Sequence, residues 1–223
     1  MKDWNEVANV GDRDDDNRTE YPRLQYYAGE NPDWPEKILQ ADYQEVFRRL
    51  EFMRNDKRDI HSIYGDELYP NNPVITKGLQ QVMLGAPQTI YNGGLLRARV
   101  RYFDIARSRP GLPPDVAALV EKLEAEVTVV QLVNLSAFES RSLIVQAGAF
   151  GKHEFTEVKY VERAKDSSGQ IAEAEEQKRI HRRFFQVDLA PASSIRLELG
   201  TRLFVNRPTY TFPWHGGDRM LLR

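Results

Sequence analysis

The sequence predicts an α+β fold, in which an N-terminal helical segment precedes an antiparallel β-sandwich. After Asp33 the apolar residues recur at three- and four-residue steps, which is the period of an amphipathic helix. After the turn signal Asn92-Gly93-Gly94 the apolar period falls to two, which is the period of a strand with one buried face. We therefore divide the chain into an extended arm over residues 1–32, a helical segment over 33–92 and a β-sandwich domain over 93–223.

Composition places the chain among ordinary water-soluble globular proteins and excludes several functional classes. Of its 223 residues 41% are hydrophobic and 29% are charged, and the formal net charge is -2. Such a small charge favours no nucleic-acid partner, and no apolar window is long enough to span a membrane. The absence of cysteine excludes disulfides and thiol chemistry. Because no secretory signal is visible, we expect a cytoplasmic chain; the alternative is an exported protein whose leader has been removed.

Two helices are predicted in the N-terminal half. The first begins at Asp33, with Pro35 in its first turn, and continues to about Arg54. Its apolar stripe consists of Leu39, Tyr43, Val46, Phe47, Leu50 and Met53. The second opens at Asn72 and Pro73 and stops at Gly85.

Six strands and one short helix are predicted in the C-terminal half. In the first strand Leu96, Ala98, Val100 and Tyr102 alternate with three arginines, and a short helix follows over 115–123. The remaining strands are predicted over 127–135, 143–148, 152–161, 179–189 and 194–205. The stretch 163–178 has no aromatic residue and is predicted to be a mobile hairpin loop.

Arg97, Arg99 and Arg101 are the first candidate binding residues. On one strand they would project from the same face about 6.5–7 Å apart, a row that can grip carboxylates, sulfates or phosphates. The competing interpretation is a solvated strand face with acidic neighbours opposite.

His153, Glu157 and His181 form a candidate metal or acid/base site. The first two share a strand face, and His181 begins a later strand that could pair nearby, so two imidazoles and one carboxylate could converge. Part of GAFGKHEFTEV resembles the first cupin motif, but Phe155 stands where that motif has its second histidine. The alternative is a polar histidine on a wet strand face, and no bound cofactor is expected.

The C-terminal segment NRPTYTFPWHGG provides a third set of candidates. Tyr210 and Trp214 could stack on sugar faces or fill a groove of a partner protein. Alternatively, these rings anchor the terminal segment to the sandwich, which is the commoner use of aromatic residues in an ordered terminus.

The order of elements resembles the C-terminal region of large (α/α)-toroid carbohydrate-active enzymes. There the last toroid helices lead into a β-sandwich, as the helices here lead through Gly85-Ala86-Pro87 into strands such as VTVVQLVNLS and RSLIVQAGAFGKHEF. The resemblance implies a subunit or C-terminal module of a carbohydrate-processing protein. It transfers no catalytic residue, because the catalytic groups of such enzymes would lie mainly in toroid helices.

Three functions follow from these observations. The chain could be a non-catalytic module that binds a glycan or a protein. It could also be a structural subunit in which the exposed stripe of the first helix, the tyrosine-rich arm and the C-terminal segment are buried against another chain or a second copy of this one. The third candidate is an enzyme, metal-dependent or acid/base, with its site around His153, Glu157 and His181. The sequence favours the first two, because both need only surfaces that it visibly offers.

Overall fold

The computed structural model of the chain describes residues 20–65, 71–86, 94–165, 171–215 and 221–222. Among the described residues, three helices of eight residues or more precede the strands: α1 spans Glu20–Tyr27, α2 spans Trp34–Asn55 and α3 spans Lys77–Leu84. The first predicted helix is thus confirmed almost to the residue. The predicted extended arm is helical at α1, whereas residues 1–19 lie outside the described part of the chain.

The second predicted helix begins four residues late, at Lys77 instead of Pro73. Asn72 Oδ1 accepts a hydrogen bond from the backbone N–H of Val74 at 2.9 Å, and this local turn competes with helix formation. The predicted stop is confirmed, because Gly85 adopts the left-handed conformation with φ of 59°.

Two five-stranded sheets follow the helices and confirm the predicted fold class. One has the order β10-β8-β5-β1-β2 and the other β3-β4-β9-β6-β7. All pairings are antiparallel except that of β10 with β8. The strands are β1 Val100–Asp104, β2 Arg109–Pro110, β3 Val116–Leu123, β4 Val127–Asn134, β5 Arg141–Ala147, β6 Glu154–Lys165, β7 Ile171–Arg182, β8 Phe184–Leu189, β9 Ser194–Arg202 and β10 Leu221–Leu222.

Several predicted elements of the C-terminal half were wrong. The predicted short helix over 115–123 is strand β3, in which Val116, Ala118 and Val120 are buried in alternation. The predicted strand over 179–189 is two strands, because the chain crosses at Arg183 from one sheet to the other. Much of the predicted loop over 163–178 belongs to strands β6 and β7, and only residues 166–170 lie outside the described chain.

The main core lies between the two sheets. Phe155 of β6 and Phe185 of β8 meet across the layers with ring centroids 5.3 Å apart, and neither is exposed. Leu197 and Leu199 of β9 are buried in the same cluster. The strand alternation predicted for this segment therefore identifies the core-facing side.

Helices α1 and α3 pack against β3 and are tied to the body by tyrosine hydroxyls. Tyr27 Oη donates to the carbonyl oxygen of Gln81 at 2.7 Å, and Tyr102 Oη donates to that of Met83 at 2.8 Å. Both acceptors lie in the last turn of α3, where the backbone carbonyl groups lack N–H partners within the helix. Among the described helices, none combines the length and the apolar character that a membrane span requires.

Candidate functional site

Helix α2 carries an exposed apolar surface, which we call the α2 stripe. Tyr43 is 65% exposed, Phe47 and Met53 are each 53% exposed, and Leu39 is also exposed. The stripe is completed by the partly buried Val46 and Leu50. The rings of Tyr43 and Phe47 contact each other edge-on at 4.7 Å, so they form one continuous apolar patch.

A neighbouring face of α2 attaches the helix to the rest of the protein. Trp34 packs against Tyr26 with ring centroids 5.4 Å apart, and Asp42 Oδ2 accepts a hydrogen bond from the Gly78 backbone N–H at 2.7 Å. Arg49 Nη1 donates to the carbonyl oxygen of Asn72 at 2.7 Å. Asp42 lies four residues before Val46, and Arg49 lies four residues before Met53, so the attached face borders one edge of the stripe. Tyr43 and Phe47 lie on the opposite edge of the stripe and remain exposed.

The charges of α2 are divided between its two ends. The part before Val46 has three acidic side chains and one basic, whereas the part after it has three basic and one acidic. Near the middle, hydrogen bonds from Arg48 and Arg49 lower the pKa of Glu45 to about 2. Helix α2 therefore has an acidic first half and a basic second half.

The three residues of the predicted metal site do not converge. His153 is buried, whereas the His181 side chain is 63% exposed and lies 3.7 Å from a carboxylate oxygen of Glu154. Glu157 Oε2 accepts a hydrogen bond from Gln177 Nε2 at 2.7 Å. Within the described ranges no three metal-ligating side chains lie close enough to hold an ion. The three residues are kept apart because His153 precedes β6 and is buried, whereas His181 lies near the end of β7 with φ of 42°.

The predicted row of arginines is not present either. Leu95–Arg97 is a helical turn and β1 begins only at Val100, so the three arginines do not share a strand face. Arg99 Nη1 donates to the carbonyl oxygen of Ala125 at 3.2 Å, and Arg101 Nη1 donates to that of Ala149 at 2.8 Å. Burial lowers the pKa of both Arg99 and Arg101. These two arginines hydrogen-bond backbone carbonyl groups, whereas Arg97 is exposed.

Lys152 and His153 form a buried basic pair that the sequence alone did not distinguish. Lys152 Nζ donates to the carbonyl oxygen of Leu95 at 3.1 Å, and burial lowers its pKa to about 8. Burial, together with the positive charges of Lys152 and Arg99, lowers the pKa of His153 to about 4. A hydrogen bond with the Ala98 backbone acts in the opposite direction. The available signal was a pair of adjacent basic residues directly after a glycine-rich turn.

His153 also anchors the segment after β9. Its Nδ1 accepts a hydrogen bond from the Phe204 backbone N–H at 3.0 Å, so the ring proton of the neutral imidazole lies on Nε2. Asn206 Nδ2 donates to the His153 carbonyl oxygen at 3.0 Å. The imidazole thus serves as a hydrogen-bond acceptor that holds the chain in place.

Of the aromatic residues near the C-terminus, some pack against the rest of the protein and others are exposed. Trp214 stacks on Phe212 at 4.9 Å and meets Phe103 edge-on at 5.7 Å, which agrees with the anchoring interpretation. Tyr210 is 86% exposed and touches Phe150 with ring centroids 5.4 Å apart. Of the two predicted binding rings, Tyr210 is therefore the one displayed on the surface.

A cleft lies where the β1–β2 turn meets the segment before β5. It has a volume of about 390 Å³ and is lined by residues that include Asp104, Arg107, Pro113, Arg141 and Ser142. Asp104 is buried, and its Oδ2 has no hydrogen-bond partner among the described residues. Two cations approach that oxygen at longer range, Arg109 Nε at 3.4 Å and Arg107 Nη1 at 3.8 Å.

Part of the chain matches the model of a known protein family. Residues 1–80 match the model of a family described as a domain of unknown function (DUF8034). No curated protein and no solved structure matches the chain. The match contains all of α2 and its stripe, but none of the two sheets.

Proposed function

We propose that this chain is a non-catalytic β-sandwich subunit that binds another protein through the α2 stripe. The observation that carries the proposal is the exposure of Tyr43, Phe47 and Met53 on one continuous side of a helix. An apolar patch of this kind on a folded surface marks an interaction site, because its exposure to water is unfavourable until a partner covers it. Aromatic side chains are also the residues that most often dominate binding energy at protein interfaces.

The hydrogen bonds of the predicted acid/base residues support a non-catalytic role. His153 Nδ1, the atom that would accept a substrate proton, already accepts the Phe204 N–H. Glu157 is engaged by Gln177, and His181 lies on the surface beside Glu154. A general base must be within hydrogen-bond reach of the proton that it removes, and these groups do not surround a common space.

The test is affinity purification from the organism that makes the protein, with a matched surface control. We compare the wild type with the double variant Tyr43→Ser/Phe47→Ser and with Phe138→Ser, which removes a ring that is 92% exposed in a loop outside α2. We expect a protein that copurifies with the wild type and with the control but is lost with the double variant. Identical sets of copurifying proteins for all three chains would contradict the proposal.

A second candidate function, carbohydrate binding, is favoured by the cleft at Asp104. Its volume of about 390 Å³ falls within the usual range for small-ligand sites. Asp104 Oδ2 lacks a hydrogen-bond donor among the described residues and is covered by its neighbours, so a sugar hydroxyl would supply the missing donor once Arg107 or Arg109 moves aside. Because Asp104 and Glu139 are balanced by Arg107 and Arg141 in the lining, the cleft suits a neutral polyhydroxylated ligand.

Isothermal titration calorimetry with neutral and acidic oligosaccharides tests this second candidate. We expect a neutral sugar to bind the wild type and the control Asp188→Asn, whose carboxylate is exposed on β8, and to bind Asp104→Asn at least about tenfold more weakly. If no neutral sugar binds at millimolar concentration, or if Asp104→Asn binds equally well, this candidate is wrong.

A further inference from the structure

We propose that the partner of the α2 stripe is the same stripe of a second copy of this chain, packed antiparallel to the first. This inference rests on the proposed function, since it identifies the protein that covers the stripe. It depends on three features of α2, which are the spacing of its apolar residues, the distribution of its charges and the area that it exposes.

The spacing of the stripe is that of a helix-pairing seam. Leu39, Tyr43, Val46, Leu50 and Met53 follow one another at steps of four, three, four and three residues. This alternation is the heptad pattern by which two helices interlock their side chains along a common axis. Helix α2 has 22 residues and is therefore about 33 Å long, enough for three heptads. The matching occupant is another helix of similar length.

The charges select an antiparallel copy. Because the part before Val46 carries three acidic residues and one basic, and the part after it the reverse, a parallel copy would bring like charges together. An antiparallel copy brings the acidic half of each helix against the basic half of the other. The helix dipoles then also oppose each other, which is the favourable orientation.

A two-fold axis between Tyr43 and Val46 gives the pairing its register. In an antiparallel pair the two seam positions of the heptad alternate across the axis, so each Tyr43 would meet Val46 of the second copy and each Leu39 would meet its Leu50. Glu36 and Arg54 lie on the outer border of the stripe at nearly equal distances from that axis, so each Glu36 would lie near Arg54 of the second copy. Self-complementarity of this kind is what an isologous dimer requires.

The exposed area indicates that the dimer is weak. The four most exposed members of the stripe together present roughly 400 Å² of apolar surface, taking about 200 Å² for a fully exposed large side chain. A standard interface buries about 800 Å² on each partner, so the flanking charged side chains must supply the rest. We therefore expect a concentration-dependent dimer with a dissociation constant of about 1–100 μM.

Analytical ultracentrifugation of the 223-residue chain tests whether the α2 stripe forms the dimer. We expect the wild type and Phe138→Ser to pass from monomer to dimer over that concentration range. The variant Tyr43→Ser/Phe47→Ser should dissociate at least about a hundredfold more readily, because it removes two large rings from each side. A wild type that is monomeric at about 1 mM, or a dimer that is indifferent to the double variant, overturns the inference.

Charge reversal tests the orientation at low ionic strength. Glu36→Arg alone and Arg54→Glu alone each turn two attractive pairs into repulsive ones, so each homodimer should weaken by about three- to thirtyfold. When the two variants are mixed, the arginine introduced at position 36 of one chain would face the glutamate introduced at position 54 of the other. The second pair of that heterodimer is the native one, so the heterodimer should regain the wild-type affinity. A mixture that associates no better than its components overturns the antiparallel arrangement.

The two proposals fail in distinguishable ways. A monomeric wild type that still captures a protein through Tyr43 and Phe47 overturns self-pairing and leaves the proposed function standing. A monomer in which hydroxyl-radical labelling finds Tyr43 and Met53 protected shows that the stripe is already covered by its own chain. That result overturns both proposals.

Discussion

Protonation of His153 provides a direct test of how the segment after β9 is held. The neutral imidazole accepts the Phe204 N–H at Nδ1, and a proton placed on that atom replaces the acceptor by a donor. Lys152 and Arg99 add positive charge beside the ring. Acidification should therefore loosen the contact between His153 and Phe204 and lower the free energy of unfolding.

The magnitude follows from the difference between the folded and unfolded pKa of His153. In the folded protein its pKa is about 4, against the ordinary value of 6.5 in the unfolded chain. The unfolded state consequently binds more protons, so the stabilisation is fully present above pH 6.5 and is lost as the pH falls towards 4. Between about pH 7.5 and pH 5 the loss amounts to about 2 kcal/mol.

Urea unfolding at a series of pH values from about 7.5 to 5 measures this effect. The variant His153→Gln keeps a carbonyl oxygen that can accept the Phe204 N–H but does not titrate, so we expect its profile to be flatter by about 2 kcal/mol. The matched control His181→Gln changes an exposed histidine and should follow the wild type. Equal slopes for the wild type and His153→Gln would refute the reasoning.

Three further substitutions test the packing around this region. Gly148→Ala should lower the free energy of unfolding by about 2–4 kcal/mol, because Gly148 has φ of 77° and a β-carbon there would lie 2.8 Å from the His153 ring; thermal denaturation measures the loss. Lys152→Met should raise the free energy of unfolding by about 1–2 kcal/mol at pH 7, because it removes a buried charge. This gain should shrink as the pH rises from 8 towards 10.5, because the folded wild type then loses that charge and becomes more stable. Trp214→Ala should cost about 1–3 kcal/mol in urea unfolding, whereas the exposed Tyr210→Ala should change stability by less than about 0.5 kcal/mol; equal effects would contradict the docking of Trp214.

The candidate surface could be predicted from the sequence only in part. The residues of the α2 stripe were identifiable, because a helical period depends only on side chains that lie within about two turns of each other. Their exposure was only one of the hypotheses that the sequence allowed, since it depends on the hydrogen bonds that attach the neighbouring face to Gly78 and Asn72. Lys152 could not be recognised as buried, because its acceptor, the Leu95 carbonyl, lies 57 residues away along the chain.

The wrong predictions arise from the same limit. The alternation from Leu96 to Tyr102 predicted a strand, yet Leu95–Arg97 forms a helical turn before β1 begins. The segment after Asp115 contains apolar residues that suit either a helix or a strand. Pairing with β4 decides in favour of the strand, because Val116, Ala118 and Val120 then face the core together.

The sequence by itself determined the order of the fold, with helices first and a layered antiparallel structure after the paired glycines. It also determined the period of each main apolar face, because both properties depend on residues close together in the chain. Only the tertiary structure decided that His153 and His181 lie apart, that the chain changes sheets at Arg183 and that the α2 stripe remains exposed. Those outcomes depend on which surfaces meet in space, and a periodic pattern carries no information about its partner.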